Sequence, residues 1–412
     1  MKLSRGLALL AATFATAPSA LAWGGAGHEI VATIAQIYLA PSALSNVCEI
    51  LYPGSSQLNH WPPCFISRVA SWADQVKRSP QYRYTASMHY VGAVDDHPGG
   101  TCLFPGTGGW AGKRDVNVLG AVRNMTDILV GYTDGYFDRN TAEDAVKFLI
   151  HYMGDMHMPL HLTGRERGGN GARVAFDGRA TNLHSLWDSL LIAKSLRTIP
   201  SNYTRRFAHS STSIEVEAHL RDTIYDPYVR RVMWEGMGVG SVPGRLDAET
   251  VESWLGCPEK TQDGWAGQGF LGAMQQQLGL RSARDEERWD DEVLCPFAWG
   301  KTLHKLNCEL PVWPAELDLL PYNETAYAFV GPIDGHHGDD QESPDDFFAR
   351  PRRPHPDLLE LDTPKYAGKI YNEWVLERLM TTAGVRLAGI LNGLFMDPEG
   401  LEEECELPVI YV

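Results

Sequence analysis

The sequence predicts an all-α fold, most simply one helical domain. Three observations lead there. Apolar residues recur at helical spacing through most of the chain. Strand-like alternation is rare and short. Two His/Asp pairs, His151 with Asp155 and His184 with Asp188, stand four residues apart, a spacing that puts both partners on one face of a helix.

In chain order, residues 29–39 carry Ile30, Val31, Ile34, Ile37 and Tyr38 and read as a helix, 41–52 as a second short one, and 59–63 as a turn. Residues 65–77 read as one helix holding Ser71-Trp-Ala-Asp74 and Lys77, and 88–91 as a short extended piece opened by His89. The stretch 95–113, rich in Gly, Pro and Asp, is a loop. Helices follow over 117–131 and 141–158, the second kinked or ended near Pro159, which lacks an N–H. The Gly- and Arg-rich 164–179 predicts a loop or small hairpin around Arg173–Phe176. Further helices are expected over 183–194, 213–225, 248–255 and 284–306. A long terminal one covers 366–395, striped by Val375, Leu379, Ala383, Leu387, Ile390 and Leu394. Residues 331–356 lack periodicity and read as a loosely held loop insertion, and 398–412 as an acidic tail.

Residues 1–22 have the pattern of a secretory signal peptide: Lys2 and Arg5, an apolar core, then Ala20-Leu21-Ala22 as a small-x-small cleavage site. Cleavage there makes Trp23 the new amino terminus and residues 23–397 one domain. No other run approaches the ~20 apolar residues of a membrane span, and the acidic tail does not resemble a lipid-anchor signal. A secreted, unanchored monomer is expected. The seven cysteines suit that compartment; disulfides are expected with connectivity open and Cys405 as the odd thiol. Asn124, Asn202 and Asn323 head glycosylation sequons. The net charge of −16 excludes a protein that grips nucleic acid through a broad basic surface. Attraction for an anionic substrate must then be local, supplied by bound cations.

Imidazole nitrogen and carboxylate oxygen are ligands of catalytic zinc. One His/Asp pair four apart is ordinarily a surface contact. Two such pairs with His161 between them, plus His28, Asp74, His89 and a Trp23 amine upstream, make a metal site the better account. The glycines of 23–27 would let the Trp23 amine and carbonyl and the His28 ring hold one ion together. His157 lies off the His151–Asp155 face and His60 stands alone in a loop, so both are left out.

These pieces resemble the zinc-dependent type I nucleases of fungi and plants, single-strand-specific nucleases and 3′-nucleotidases related to bacterial zinc phospholipase C. The matching motifs are Trp-Gly-x-x-Gly-His (Trp23–His28), Ser-Trp-Ala-Asp (Ser71–Asp74), His-Tyr-Val (His89–Val91) and His-x-x-Gly-Asp-x-His-x-Pro-Leu-His (His151–His161). Gly-Gly-Asn (Gly168–Asn170), Asn-Leu-His-x-x-Trp-Asp (Asn182–Asp188) and the late 383–392 segment complete the set. The resemblance implies the phospholipase C/nuclease fold and three zinc ions. Asp74, His89, His151 and Asp155 would hold the first. His161, His184 and Asp188 would hold the second, and the Trp23 amine and carbonyl, His28 and Asp155 the third. It also implies hydrolysis of single-stranded DNA and RNA to 5′-phosphates, with metal-activated hydroxide attacking phosphorus in line, and 3′-nucleotides as further substrates. Lys77 matches a basic phosphate-contacting position, or is a solvated helix-end lysine.

The chain departs from the family where Gly92 replaces an Asp that helps recognise the base. That leaves Tyr90 as the stacking candidate or a core tyrosine, and Asn170 as a base-site group or a loop brace. Asp95 and Asp96 are weaker substitutes for the lost carboxylate. A zinc phospholipase C is the alternative; Asp188, where the phospholipases typically have Glu, disfavours it. A non-catalytic metal-binding protein would have lost a ligand, and none is lost.

Overall fold

The computed structural model describes residues 23–57, 60–105, 109–110, 116–207, 211–239, 244–246, 251–257, 289–291, 293–310, 312–318 and 343–397. The leader, the tail, Asn323, Cys405, His336 and His337 lie outside them.

The architecture is helical, as expected, and is built around the Val375–Phe395 helix. Its apolar stripe predicts burial on one side. In fact Leu376, Met380, Ala383, Leu387 and Leu391 are buried, and so are the polar Thr381, Arg386 and Asn392. Helices α1 (Gly24–Ile37), α2 (Pro41–Leu51), α4 (Val118–Thr133) and α5 (Arg139–Met156) all pack against it; α3 (Trp72–Val76) packs on α5. The crossing with α1 is close because residue 384 is glycine: a Cβ there would stand 2.8 Å from Ile34 Cγ2 and 3.0 Å from the Val31 carbonyl. The expected 366–395 helix is two pieces, Ala367–Asn372 and Val375–Phe395, broken at Trp374 with φ 55°.

Local chemistry sets the boundaries near the site. Asp138 caps α5 by accepting from Thr141 N–H at 2.9 Å, and Asn117 caps α4 by accepting from Leu119 and Gly120 N–H. Helix α5 ends at Met156 and a 3₁₀ turn, Pro159–Leu162, takes over, as Pro159 requires. Helix α1 begins earlier than its apolar pattern, at Gly24. The glycines expected to loop back lie inside its first turns, where Gly27 leaves room for Trp23 Cβ at 2.8 Å.

Three further differences matter. The helix expected over 65–77 is split into a 3₁₀ turn, Ile66–Val69, and α3, which frees the Ala70 carbonyl. His89 closes a 3₁₀ helix, Arg83–His89, and extended geometry starts only at Tyr90. The described part of 331–356 contains a helix, Pro344–Ala349, capped by Ser343. The expected hairpin is present: β1 (Arg173–Phe176) pairs antiparallel with β2 (Arg179–Asn182) and parallel with β3 (Leu359–Glu360).

Disulfides Cys48–Cys64, Cys102–Cys308 and Cys257–Cys295 use six cysteines and leave Cys405 over, as expected. No described helix is long and apolar enough to cross a membrane.

Asn392 braces the α1–α2 corner. Its amide oxygen accepts from Ala40 N–H at 2.9 Å and its nitrogen donates to the Tyr38 carbonyl at 3.0 Å, all buried. Asn392→Ala orphans both backbone groups and should lower stability by about 2–4 kcal/mol. Urea denaturation measures this, and a loss below about 0.5 kcal/mol would contradict the role given to the side chain.

Candidate metal centre

Helix α5 supplies the middle of the site. His151 and Asp155 emerge one turn apart, both fully buried. Asp155 faces four imidazoles. Its Oδ1 lies 3.3 Å from His28 Nε2 and 3.5 Å from His161 Nδ1; its Oδ2 lies 2.9 Å from His89 Nδ1 and 3.2 Å from His151 Nε2. Asp74, from α3, lies 3.3 Å from His151 Nε2 and 3.4 Å from His89 Nδ1. The His28 and His151 rings stack with centroids 3.8 Å apart. A second cluster adjoins: His184 Nε2 is 3.1 Å from Asp188 Oδ2, and His161 Nε2 is 3.9 Å from Asp188 Oδ1. The Trp23 N–H donates to Asp188 Oδ1 at 3.2 Å.

Backbone carbonyls orient three of these rings. Nδ1 of His151 donates to Ala70, of His161 to His89, and of His184 to Gly168, at 2.7, 2.8 and 2.7 Å. A carbonyl only accepts, so each Nδ1 carries the proton and Nε2 is turned into the cluster. The Ala70 carbonyl is the one freed by the helix break. Gly168 is in the left-handed region, φ 64°, and a Cβ there would meet the Leu160 carbonyl at 2.6 Å, so the Gly-Gly-Asn turn is what places the carbonyl that holds His184.

The polar atoms aimed inward lack hydrogen-bond partners: both nitrogens of His28, Nε2 of His89, His151 and His161, Oδ2 of Asp74 and Oδ1 of Asp155. Buried donors and acceptors left unpaired in such number are costly unless a cation completes them. The donor set of imidazoles and carboxylates suits zinc. His28/Asp74/His151, His89/His151/Asp155 and His161/His184/Asp188 each have ligand atoms within 4.8 Å of one another. The third group is the expected one. The first two share the expected residues differently, His151 serving both, and the Trp23 nitrogen falls beside Asp188. A fourth grouping, Asp96/Cys102/His304, is ruled out because Cys102 is in a disulfide.

The electrostatics of the metal-free cluster follow from burial and proximity. Burial pushes the Asp74 carboxyl up, but His151 and Lys77 outweigh it and hold it well below the carboxylate range. Asp155 is likewise pushed up by burial and carried well below it by His151 and His28. Burial lowers His151, but Asp155 and Asp74 raise it to about 10. Burial, then Lys77, lowers His89 to about 4; burial, then His151, lowers His28. Burial lowers His161, and it lowers His184 too, but Asp188 raises the latter more.

The remaining candidates divide. Lys77 Nζ donates to Asp74 Oδ1 at 2.8 Å, at the edge of the cluster. Tyr90 is partly buried, and burial raises its hydroxyl pKa. The Asn170 amide donates to the Arg167 carbonyl at 2.9 Å, which braces the loop. Asp96 is fully buried and accepts from Thr163 and His304, both at 2.7 Å, so it is no replacement for the carboxylate lost at Gly92. His157 donates to the Met153 carbonyl and accepts from Arg386, which occupies both of its ring nitrogens. Asn124 and Asn202 are exposed. Missed by motif reading were the carbonyls of Ala70 and His89 and the reason for Gly154: a Cβ there would stand 2.5 Å from His28 Nδ1.

Fold and site together define a helical protein with a buried His/Asp cluster suited to metal binding. The chain belongs to the S1/P1 nuclease family, whose model matches residues 23–235. It is 36% identical over 189 residues to Nuclease S1 of Aspergillus oryzae (strain ATCC 42149 / RIB 40), covering 45% of this chain and 60% of the relative. It is 32% identical over 207 residues to Endonuclease 3 of Arabidopsis thaliana, covering 49% and 64%. To Nuclease P1 of Penicillium citrinum it is 34% identical over 176 residues, covering 42% and 59%. The match thus spans about three-fifths of these relatives' length.

Two predictions follow from the cluster. Gly154→Ala, favourable for a helix in itself, should displace His28 and lower bound metal by about one equivalent with the fold kept; elemental analysis beside circular dichroism checks it. Full metal content would refute the packing argument. The His151 pKa, about 10 in the metal-free fold, exceeds its unfolded value of about 6.5. Its contribution is fully present below pH ~6.5 and is lost as pH climbs through about 10. Melting of EDTA-treated chain should therefore fall across that window, and a rise there would contradict the assignment.

Proposed function

We propose that this chain is a secreted zinc-dependent endonuclease. It hydrolyses phosphodiester bonds of single-stranded DNA and RNA to 5′-phosphate products and also acts on 3′-nucleotides. The observation that carries this reading is the set of buried imidazole nitrogens and carboxylate oxygens drawn to within about 3.3 Å of one another without well-formed hydrogen bonds, on a chain that belongs to a nuclease family.

Three zinc ions are proposed, distributed as the resemblance implies: Asp74, His89, His151 and Asp155; His161, His184 and Asp188; and Trp23, His28 and Asp155. For Trp23 the proposal requires cleavage after Ala22. Its nitrogen is then an amine, and it already lies at Asp188. Bound there, zinc supplies Lewis acidity, lowering the pKa of a ligated water and neutralising charge on a phosphate.

The chain's own groups do the rest. Asp155 presents one oxygen to His28 and His161 and the other to His89 and His151, so a single carboxylate fixes the spacing of both halves. Lys77 steadies Asp74 and adds positive charge at the cluster edge, where a phosphate would enter. Tyr90 is proposed as the base-stacking surface and Asn170 as a brace at the substrate's edge. The Trp23, Trp187 and Tyr152 side chains, fully buried, keep bulk water from the cluster's inner side.

Hydrolysis of denatured DNA, RNA, 3′-AMP and a phosphatidylcholine analogue, each with and without EDTA, tests the reading. The nucleic acids and 3′-AMP should be cleaved, EDTA should abolish cleavage, and the lipid should persist. Cleavage of the lipid alone would replace this reading with the phospholipase one. Asp155→Asn should cost at least about 10²-fold in kcat; retention of wild-type kcat would remove Asp155 from the mechanism.

A further inference from the structure

We propose that a basic groove on the β1–β2 hairpin, outside the metal cluster, is a second docking site for the phosphodiester backbone of a polynucleotide. The inference rests on the nuclease reading for its substrate class and on its own geometry for its place.

The groove, of about 360 Å³, is lined by Ala175, Gly178, Arg352, Arg353, His355 and Glu360. It arises where the 350–360 segment is laid against the hairpin. Buried Arg179 clamps that segment, its Nε donating to the Arg350 carbonyl at 2.7 Å and its Nη2 to the Phe348 carbonyl at 2.8 Å. Arg353 N–H donates to the Gly178 carbonyl at 2.8 Å, and β3 continues the attachment in parallel with β1. Gly178, at φ 67°, would bring a Cβ to 3.2 Å from Arg352 Cβ. The wall is therefore fixed to the turn by backbone contacts.

The carboxylates at the groove, Asp177 and Glu360, are both engaged, and exposed Asp357 is outside its lining. Asp177 is engaged by Arg179 and by Arg352, the latter at 2.7 Å. Glu360 is engaged by two backbone N–H groups, Gly178 at 3.0 Å and Asp362 at 2.8 Å. The side chains of Arg353 and His355 have no partner among the described residues, and neither does that of exposed Arg173. Arg173 and Ala175 stand two residues apart on β1 and so point to the same face of the strand, Arg173 exposed and Ala175 buried at the groove wall. A protein of net charge −16 thus sets Arg173 and Arg353, unpartnered among the described residues, at one hairpin.

The hairpin leads to the metal cluster. Strand β2 ends at Asn182, whose side chain caps the turn carrying His184 by accepting from Ser185 N–H at 2.7 Å. Successive positions along the hairpin suit the regularly spaced phosphates of one strand. A mononucleotide has no second phosphate to place there; a strand held at the cluster does.

The test compares wild type with Arg353→Glu and Arg173→Glu/Arg353→Glu on long denatured DNA and on a dinucleotide. On the long strand, kcat/KM should fall about tenfold at low salt, the gap closing as salt rises. On the dinucleotide it should not change. Equal loss on both substrates, or none on the long strand, overturns the proposal. A second arm needs no cleavage: with EDTA-treated full-length chain and a labelled single-stranded oligonucleotide, Arg353→Ala should reduce the slope of log K against log salt by about 0.7. An unchanged slope overturns the groove. Should wild type cleave neither substrate, the nuclease reading fails and this slope decides the groove alone.

Discussion

Everything in this fold is arranged around the cost of burying charge. Asp74, Asp155 and Asp188 are all but inaccessible to water, and His28, His89, His151 and His161 press against them. In a low-dielectric interior such carboxylates are tolerated only when matched by positive charge in good geometry. His151, raised by Asp155 and Asp74, supplies part of that match, and the His and Asp groups are arranged so that cations would supply the rest. Holding the ligands apart, yet aimed at common points, is the task given to the surrounding helices.

The scaffold does this with backbone more than with side chains. A break between a 3₁₀ turn and α3 exposes the Ala70 carbonyl to His151, the end of another 3₁₀ helix puts the His89 carbonyl on His161, and a left-handed glycine puts the Gly168 carbonyl on His184. Irregular backbone appears at each place where a ring must be oriented. The regular helices behind, above all Val375–Phe395 with its buried Asn392 and Arg386, keep those irregularities in register.

Much of this was legible in the sequence because helical phase is a geometric rule. His151 and Asp155 at i, i+4, the stop at Pro159, and His184 with Asp188 could be placed before any coordinates. The reading failed where tertiary contact overrides pattern. Gly24, Gly25 and Gly27 read as a flexible bend but sit in α1, where Ser189 and Trp23 fill the space a Cβ would need at Gly24 and Gly27. The terminal stripe marked one face, yet the helix is enclosed because polar Thr381, Arg386 and Asn392 find partners or space inside, which composition does not reveal. Residues 343–356 have no apolar period, and their order comes from Arg179, far away in sequence. Asp96 looked available and is consumed by His304, a pairing across 208 positions that no local rule anticipates.

Anomalous scattering at the zinc absorption edge, from crystals of the purified chain, tests the central claim most directly. The account predicts three separate peaks: two flanking Asp155, and one bounded by His161, His184 and Asp188. A map with no peak between these side chains, from protein grown with zinc in excess, would contradict it.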